Sequence, residues 1–160
     1  MPMIKLGLGL LAGLGVFLFL IQAIYSFSSS FPYDGIAIPI DPRNDAHLIA
    51  VREAVVLIVA KMDDHICLAC PDVGIGLQCI VWSDGPVWRN PVVISRSDET
   101  SEGYETTLFD STEAPRLVRR PDRVVVEHDG TAIDTVFGAR AHCLAHALDL
   151  FDGTFASVPL

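Results

Sequence analysis

The sequence predicts an α+β domain preceded by an apolar helix, and three observations carry that reading. A stretch from Asn44 to about Asp63 keeps an apolar stripe at helical spacing. Six short β-like runs then follow, each cut off by turn-forming residues. A second helical pattern, Ala139 to Leu150, ends the patterned part of the chain.

The first element in chain order is the apolar one. From Leu6 to Tyr33 there is no charged residue, and Leu6 to Tyr25 is about 20 apolar residues, enough for a helix to cross a hydrocarbon core of roughly 30 Å. A single-pass transmembrane anchor is the expectation, with residues 6–25 in the lipid bilayer and Tyr25 and Phe27 at its interface. A cleaved signal peptide is the rival; the run is long for one, and no clear Ala-x-Ala site follows. Gly9-x-x-x-Gly13 is read equally as a close-packing face or as a Gly-tolerant span. Lys5 and the terminal amine favour a cytoplasmic-type side for the short N-terminus. The expected division is an anchor at 1–27, a linker at 28–42 and one compact domain at 43–160.

Within that domain, Asp41-Pro42 offers an N-cap and a first-turn proline. The helix after it carries Ala50, Ala54, Leu57, Ile58 and Met62 on a wide apolar face, which should be largely buried. The β-like runs are Gln78–Trp82, Val92–Ile94, Tyr104–Leu108, Leu117–Val118, Val124–Glu127 and Thr131–Val136. Glu127-His128-Asp129-Gly130-Thr131 reads as a hairpin turn. In the last helix Leu144, Leu148 and Phe151 should face the core, and Gly153 suits a left-handed helix end.

The chain is acidic, with formal net charge -9, which argues against nucleic acid as a partner, since a phosphate-binding surface needs clustered Lys and Arg. Arg116, Arg119, Arg120 and Arg123 are a local exception, read as a solvated strand pair facing acids. His65-x-Cys67-x-x-Cys70, with Cys79 beyond, contains a zinc half-site but no second close pair. Buried free thiols are the expectation there; two disulfides would need an oxidising compartment.

Chemistry concentrates in His142-Cys143-Leu144-Ala145-His146-Ala147-Leu148-Asp149-Leu150-Phe151-Asp152-Gly153. A metallohydrolase helix often places two His at i and i+4 on one metal, with a neighbouring Glu as general base. Here His146 suits the first His, but Ala147 stands at the Glu position and Leu150 at the second His position. The segment resembles, without a gap, the third motif of peptide deformylases, roughly Gln-His-Glu-x-Asp-His-Leu-Asp-Gly. Glu102-Gly103-Tyr104 resembles that family's Glu-Gly-Cys motif, with Tyr104 in place of the metal-binding Cys. Gly74-Ile75-Gly76-Leu77 resembles the start of its Gly-x-Gly-Leu-Ala-Ala-x-Gln motif, and Gln78 is a candidate for the oxyanion-stabilising Gln in what reads as a shortened segment. Arg89-Asn90-Pro91-Val92-Val93-Ile94 and Val118-Arg119-Arg120-Pro121 resemble intervening family strands, and all pieces keep the family's order over Asp41 to Phe155.

The resemblance implies a peptide deformylase-like fold, with antiparallel sheets around a C-terminal helix. It also implies a site that has lost its chemistry: no catalytic residue, no metal and no cofactor are expected. Tyr104 is expected to fill the emptied pocket, and Glu102 and Asp149 to be structural partners, Glu102 of an Arg. The relocated-metal alternative uses His142 and His146, also i and i+4, with Asp149 or Glu102 completing the site. A Ser nucleophile is not supported, because no Gly-x-Ser-x-Gly turn is present. Three functions remain open. The leading one is a membrane-anchored, catalytically inactive structural subunit that contacts protein subunits of a larger assembly, such as a mitochondrial membrane complex or a virion with an internal membrane. The others are a non-catalytic binder of formyl-Met peptide N-termini and a hydrolase with a relocated metal.

Overall fold

The computed structural model describes residues 33–105 and 115–154. The anchor expected at 6–25, its glycines, the first part of the linker and the end of the strand expected at Tyr104–Leu108 lie outside the described residues. No helix among the described residues is long and apolar enough to cross a membrane.

Helix α1 (Asp45–Val59) starts three residues later than Asp41-Pro42 would have it. Asn44 is the cap: its side chain accepts from the Ala46 N–H, while Asp41 accepts from Arg43 in the turn before. His47, Ala50, Val51, Ala54 and Ile58 face inward, but Val56 and Val59 are exposed, so the wide apolar face is only half covered. Strand β1 (Cys67–Ala69) leads into a 3-10 turn (Cys70–Val73), and neither was expected; β2 (Cys79–Trp82) and β3 (Val87–Arg89) complete an antiparallel sheet in the order β1-β2-β3. Strands β4 (Val92–Arg96), β7 (Arg123–His128) and β8 (Ala132–Phe137) form a second sheet in the order β4-β7-β8. Strands β5 (Thr100–Glu105) and β6 (Arg116–Pro121) pair as a separate antiparallel ribbon, and helix α2 (Ala139–Phe151) closes the domain.

β2 is buried on both faces and divides the core in two. Ile80 and Trp82 join Val124, Val126, Leu144, Ala147, Leu150 and Phe151 beneath α2. Cys79 and Val81 join Ala50, Ala54, Ile58 and Leu77 beneath α1. The two-residue repeat of the strand produces this division, since successive side chains point to opposite faces. The turn between β7 and β8 falls at Asp129-Gly130, as the sequence indicates, and both residues take positive φ. Gly153 follows α2 at φ 67, in the left-handed conformation expected of it.

Residues 33–42, the expected end of the linker, lie against the domain. Ala37 N–H donates to Phe151 O, Ile38 N–H to Gly76 O and the Tyr33 hydroxyl to Leu150 O. The Asn90 side chain closes both backbone groups of Ile40.

The expectation of free thiols is overturned, and with it the zinc half-site. Cys67 is bonded to Cys143, joining β1 to α2, and Cys70 to Cys79, joining the 3-10 turn to β2. Sequence separations of 76 and 9 give no hint of this pairing. The fold creates it by bringing the Cα atoms to 6.1 and 5.3 Å, within disulfide reach.

Candidate functional site

Between the β5–β6 ribbon, the start of β1 and helix α2 lies a cavity of about 430 Å³. Strand alternation decides which side chains reach it. Ser101, Gly103 and Glu105 face α2, whereas Glu102 and Tyr104 face outward. On α2, His142 and His146 stand one turn apart on the cavity side.

Three polar ties connect ribbon and helix. Ser101 Oγ lies 2.9 Å from His142 Nε2 and donates to Asp122 Oδ1 at 3.1 Å. Gly103 leaves room for that imidazole, because a Cβ there would sit 2.9 Å from His142 Nδ1. Glu105 Oε2 lies 3.1 Å from His146 Nδ1. Arg120 holds Glu105 with two hydrogen bonds, of 2.9 and 2.8 Å, and reaches Asp149 at 2.6 Å. Burial would raise the Glu105 carboxyl, but Arg120 and His146 outweigh it and bring it down to about 2. Burial acts against the Arg120 charge too, and Glu105 and Asp149 more than offset it, so Arg120 is held more firmly protonated than usual.

Asp72, in the 3-10 turn, is only 5% exposed yet lines the cavity. Its Oδ2 accepts from the Ala69 N–H at 2.8 Å. Burial pushes its pKa up, and the Ala69 N–H, His146, His65 and Lys61 counter this only in part.

Several expectations change here. Tyr104 is 75% exposed at the cavity rim and does not plug it, because its parity on β5 turns it outward. Glu102 pairs with Arg119 at 2.6 Å on the outer face, as expected of it, and Asp149 is a structural partner of Arg120. Neither carboxylate therefore completes a metal site with His142 and His146, and no three His, Cys, Asp or Glu groups among the described residues are placed to hold a metal. Ala147 and Leu150 are 1% and 4% exposed, within the core beneath α2.

Gly74, Gly76, Leu77 and Gln78 do not line the cavity. Gly74 ends the 3-10 turn at φ 81, Gly76 O accepts from Ile38, Leu77 is core, and the Gln78 side chain donates to Ala37 O. The wall that does line it is Asp64 to Leu68 together with Asp72. There Leu68-Ala69-Cys70-Pro71-Asp72 carries the spacing of Leu-Ala-Ala-x-Gln, with Cys70 at the second Ala and Asp72 at the Gln. The motif is full length and nine residues upstream of where Gly76-Leu77 suggests it. Leu68-Ala69 was the available signal.

The family model for polypeptide deformylase matches residues 35–157. The chain belongs to the polypeptide deformylase family. Solved deformylases share its fold. The enzyme of the Vibrio parahaemolyticus bacteriophage VP16T, in complex with actinonin, is 25% identical over 74% of this chain and 88% of its own, with a TM-score of 0.61. That of Thermotoga maritima is 21% identical over 75% and 84%, with a TM-score of 0.62. That of Plasmodium falciparum, in complex with an inhibitor, is 20% identical over 74% and 76%, with a TM-score of 0.62. No curated protein matches the sequence.

The metal that deformylase chemistry requires does not fit the residues present. Of the positions that would hold it, only His146 carries a ligand, and that ring faces a carboxylate already neutralised by Arg120.

Proposed function

We propose that this chain is a membrane-anchored, non-catalytic member of the deformylase family that serves as a structural subunit of a larger assembly. One observation carries the loss of activity. The single surviving ligand, His146, is tied to Glu105, which Arg120 clamps, while Ala147 and Leu150, at the base and second-ligand positions, are core residues. With no positioned base and no convergent ligands there is nothing to activate water. The expected result is that formate release from formyl-Met peptides does not exceed that of the His146→Ala variant; release above that background overturns the reading.

Two further observations bear on the assembly role. On the outer face of the β4-β7-β8 sheet, Val92, Ile133 and Phe137 are each about 60% exposed, an apolar surface of the kind subunit contacts use. The disulfides suit an oxidising compartment, which agrees with an anchor at 6–25 that leaves Lys5 on the cytoplasmic-type side and carries the domain across. Purification in mild detergent should recover partner subunits; a monodisperse monomer that co-purifies with nothing counts against this role.

The open cavity favours a second reading beside the first, a pocket that binds a peptide N-terminus without cleaving it. Tyr104 stands at the rim and leaves the space free. Titration of the full chain with peptides tests this, and absence of binding at millimolar concentration removes it.

A further inference from the structure

Among the described acidic groups that line the cavity, Asp64 is exposed to solvent, and Asp72 is the buried one that no arginine clamps. Arg120 ion-pairs with both Glu105 and Asp149, and Arg119 with Glu102. Asp72 has no such partner. It is only 5% exposed; its Oδ2 takes the Ala69 N–H, and its Oδ1 takes no hydrogen bond from the described residues and stays solvent-accessible. Its position is the one at which the family motif places a Gln, so a carboxyl replaces an amide on the cavity wall.

That replacement inverts what the wall can recognise. An amide N–H donates to a carbonyl oxygen such as that of a formyl group. Once ionised, a carboxyl has no proton to give that oxygen but accepts strongly from an ammonium, a pairing that an amide cannot make. The cation required is a small organic one, since the ligand groups here do not converge on a metal. Ile66, Leu68 and Tyr104 border the same cavity and offer apolar surface beside the charge. The matching ligand carries an ammonium next to an apolar side chain, as the free N-terminus of a peptide does.

We propose that the cavity binds the free α-ammonium of a peptide N-terminus through Asp72 and discriminates against the formylated form. This rests on the binding reading of the pocket. Burial raises the Asp72 carboxyl, with His146, His65 and Lys61 as its counter-charges and Asp64, Glu102, Glu105 and His142 lining the same space. An arriving ammonium favours the ionised form, so binding should release a proton into the buffer.

The test uses the full chain in detergent, with disulfides intact, and isothermal titration with C-terminally amidated Met-Ala-Ala and formyl-Met-Ala-Ala. The free amine should bind at least about tenfold more tightly, the scale of a charge-assisted hydrogen bond. N-acetyl-Met-Ala-Lys amide, which carries the same charge at the other end, should bind no better than the formylated peptide. Asp72→Asn keeps the shape and the bond to Ala69, and should abolish the preference; Glu102→Gln should leave it unchanged. If Asp72→Asn fails to fold, the comparison of the three peptides on the unsubstituted chain still decides. Equal binding of all three, or tighter binding of the formylated peptide, overturns the proposal and leaves the binding reading standing. No binding of any peptide overturns both.

Discussion

Replacing Arg120 by Met keeps most of the side chain's length and removes its charge, which tests whether the ribbon and α2 are held by the ion-pair ladder. Arg120 and Glu105 are 15% and 9% exposed, so water offers little compensation. The clamp and His146 bring Glu105 from 4.5 to about 2. At about 1.4 kcal/mol for each tenfold in the protonation equilibrium, that corresponds to roughly 3 kcal/mol. Loss of one partner from a buried pair typically costs ~3–5 kcal/mol, in agreement. Arg120→Met is therefore expected to lose about 3 kcal/mol at pH 7, and Glu105→Gln in addition should recover much of it.

The pH dependence fixes the sign. A carboxyl lowered on folding contributes stability that is complete above its unfolded value near 4.5 and is lost as pH falls through about 2. In Arg120→Met, acid protonates an uncompensated buried carboxylate and relieves its cost. The gap between the two proteins should thus be widest at neutral pH and narrow toward pH 3. Urea unfolding followed by circular dichroism, on the oxidised chain at pH 7, 5 and 3, measures it. A difference under about 1 kcal/mol at pH 7, or one that widens in acid, refutes the reasoning.

Gly103→Ala places a Cβ against the His142 ring, so the Ser101 contact should break at a cost of ~1–3 kcal/mol, visible in unfolding and in the His142 ring resonances. Ala147→Glu with Leu150→His restores family residues to sites 1% and 4% exposed; the polar groups would be buried in the core, so the variant should be several (~3–5) kcal/mol less stable and bind no metal by elemental analysis. Stoichiometric zinc or iron in that variant would contradict the buried placement. Thiol alkylation before reduction should label none of the four cysteines, and loss of the Cys67–Cys143 bridge should cost ~4 kcal/mol by the loop-closure relation for its separation of 76.

Both helices, the longer strands β2, β4, β7 and β8 and the β7–β8 turn were legible because each repeats its period or ends in a strong turn signal. β1 and β3 have three residues each, too few to show a period. The facing of Tyr104 turned on parity: a one-residue difference in register on β5 decides whether Tyr104 or Glu105 meets His146. The first motif was misplaced because two similar strings lie nine residues apart, with Leu68 and Leu77 at the same motif position, and only the cavity wall separates them. Asp72 went unnoticed for the same reason. Disulfide partners depend on tertiary distance alone, so no spacing could reveal Cys67 with Cys143.

The cavity side of α2 is used for attachment along its whole length. His142 is tied through Ser101 to Asp122, Cys143 is bonded to β1, His146 meets Glu105, and Asp149 meets Arg120. These ties leave few groups unsatisfied, and an unsatisfied, pre-organised group is what catalysis requires. A helix whose polar face is spent on hydrogen bonds and ion pairs contributes to stability and holds the cavity walls at fixed spacing. The exception is across the cavity, at Asp72, where a buried carboxyl keeps one oxygen without a partner among the described residues. Fixed walls around a buried carboxyl that no arginine clamps support the proposal that the cavity selects a ligand by charge.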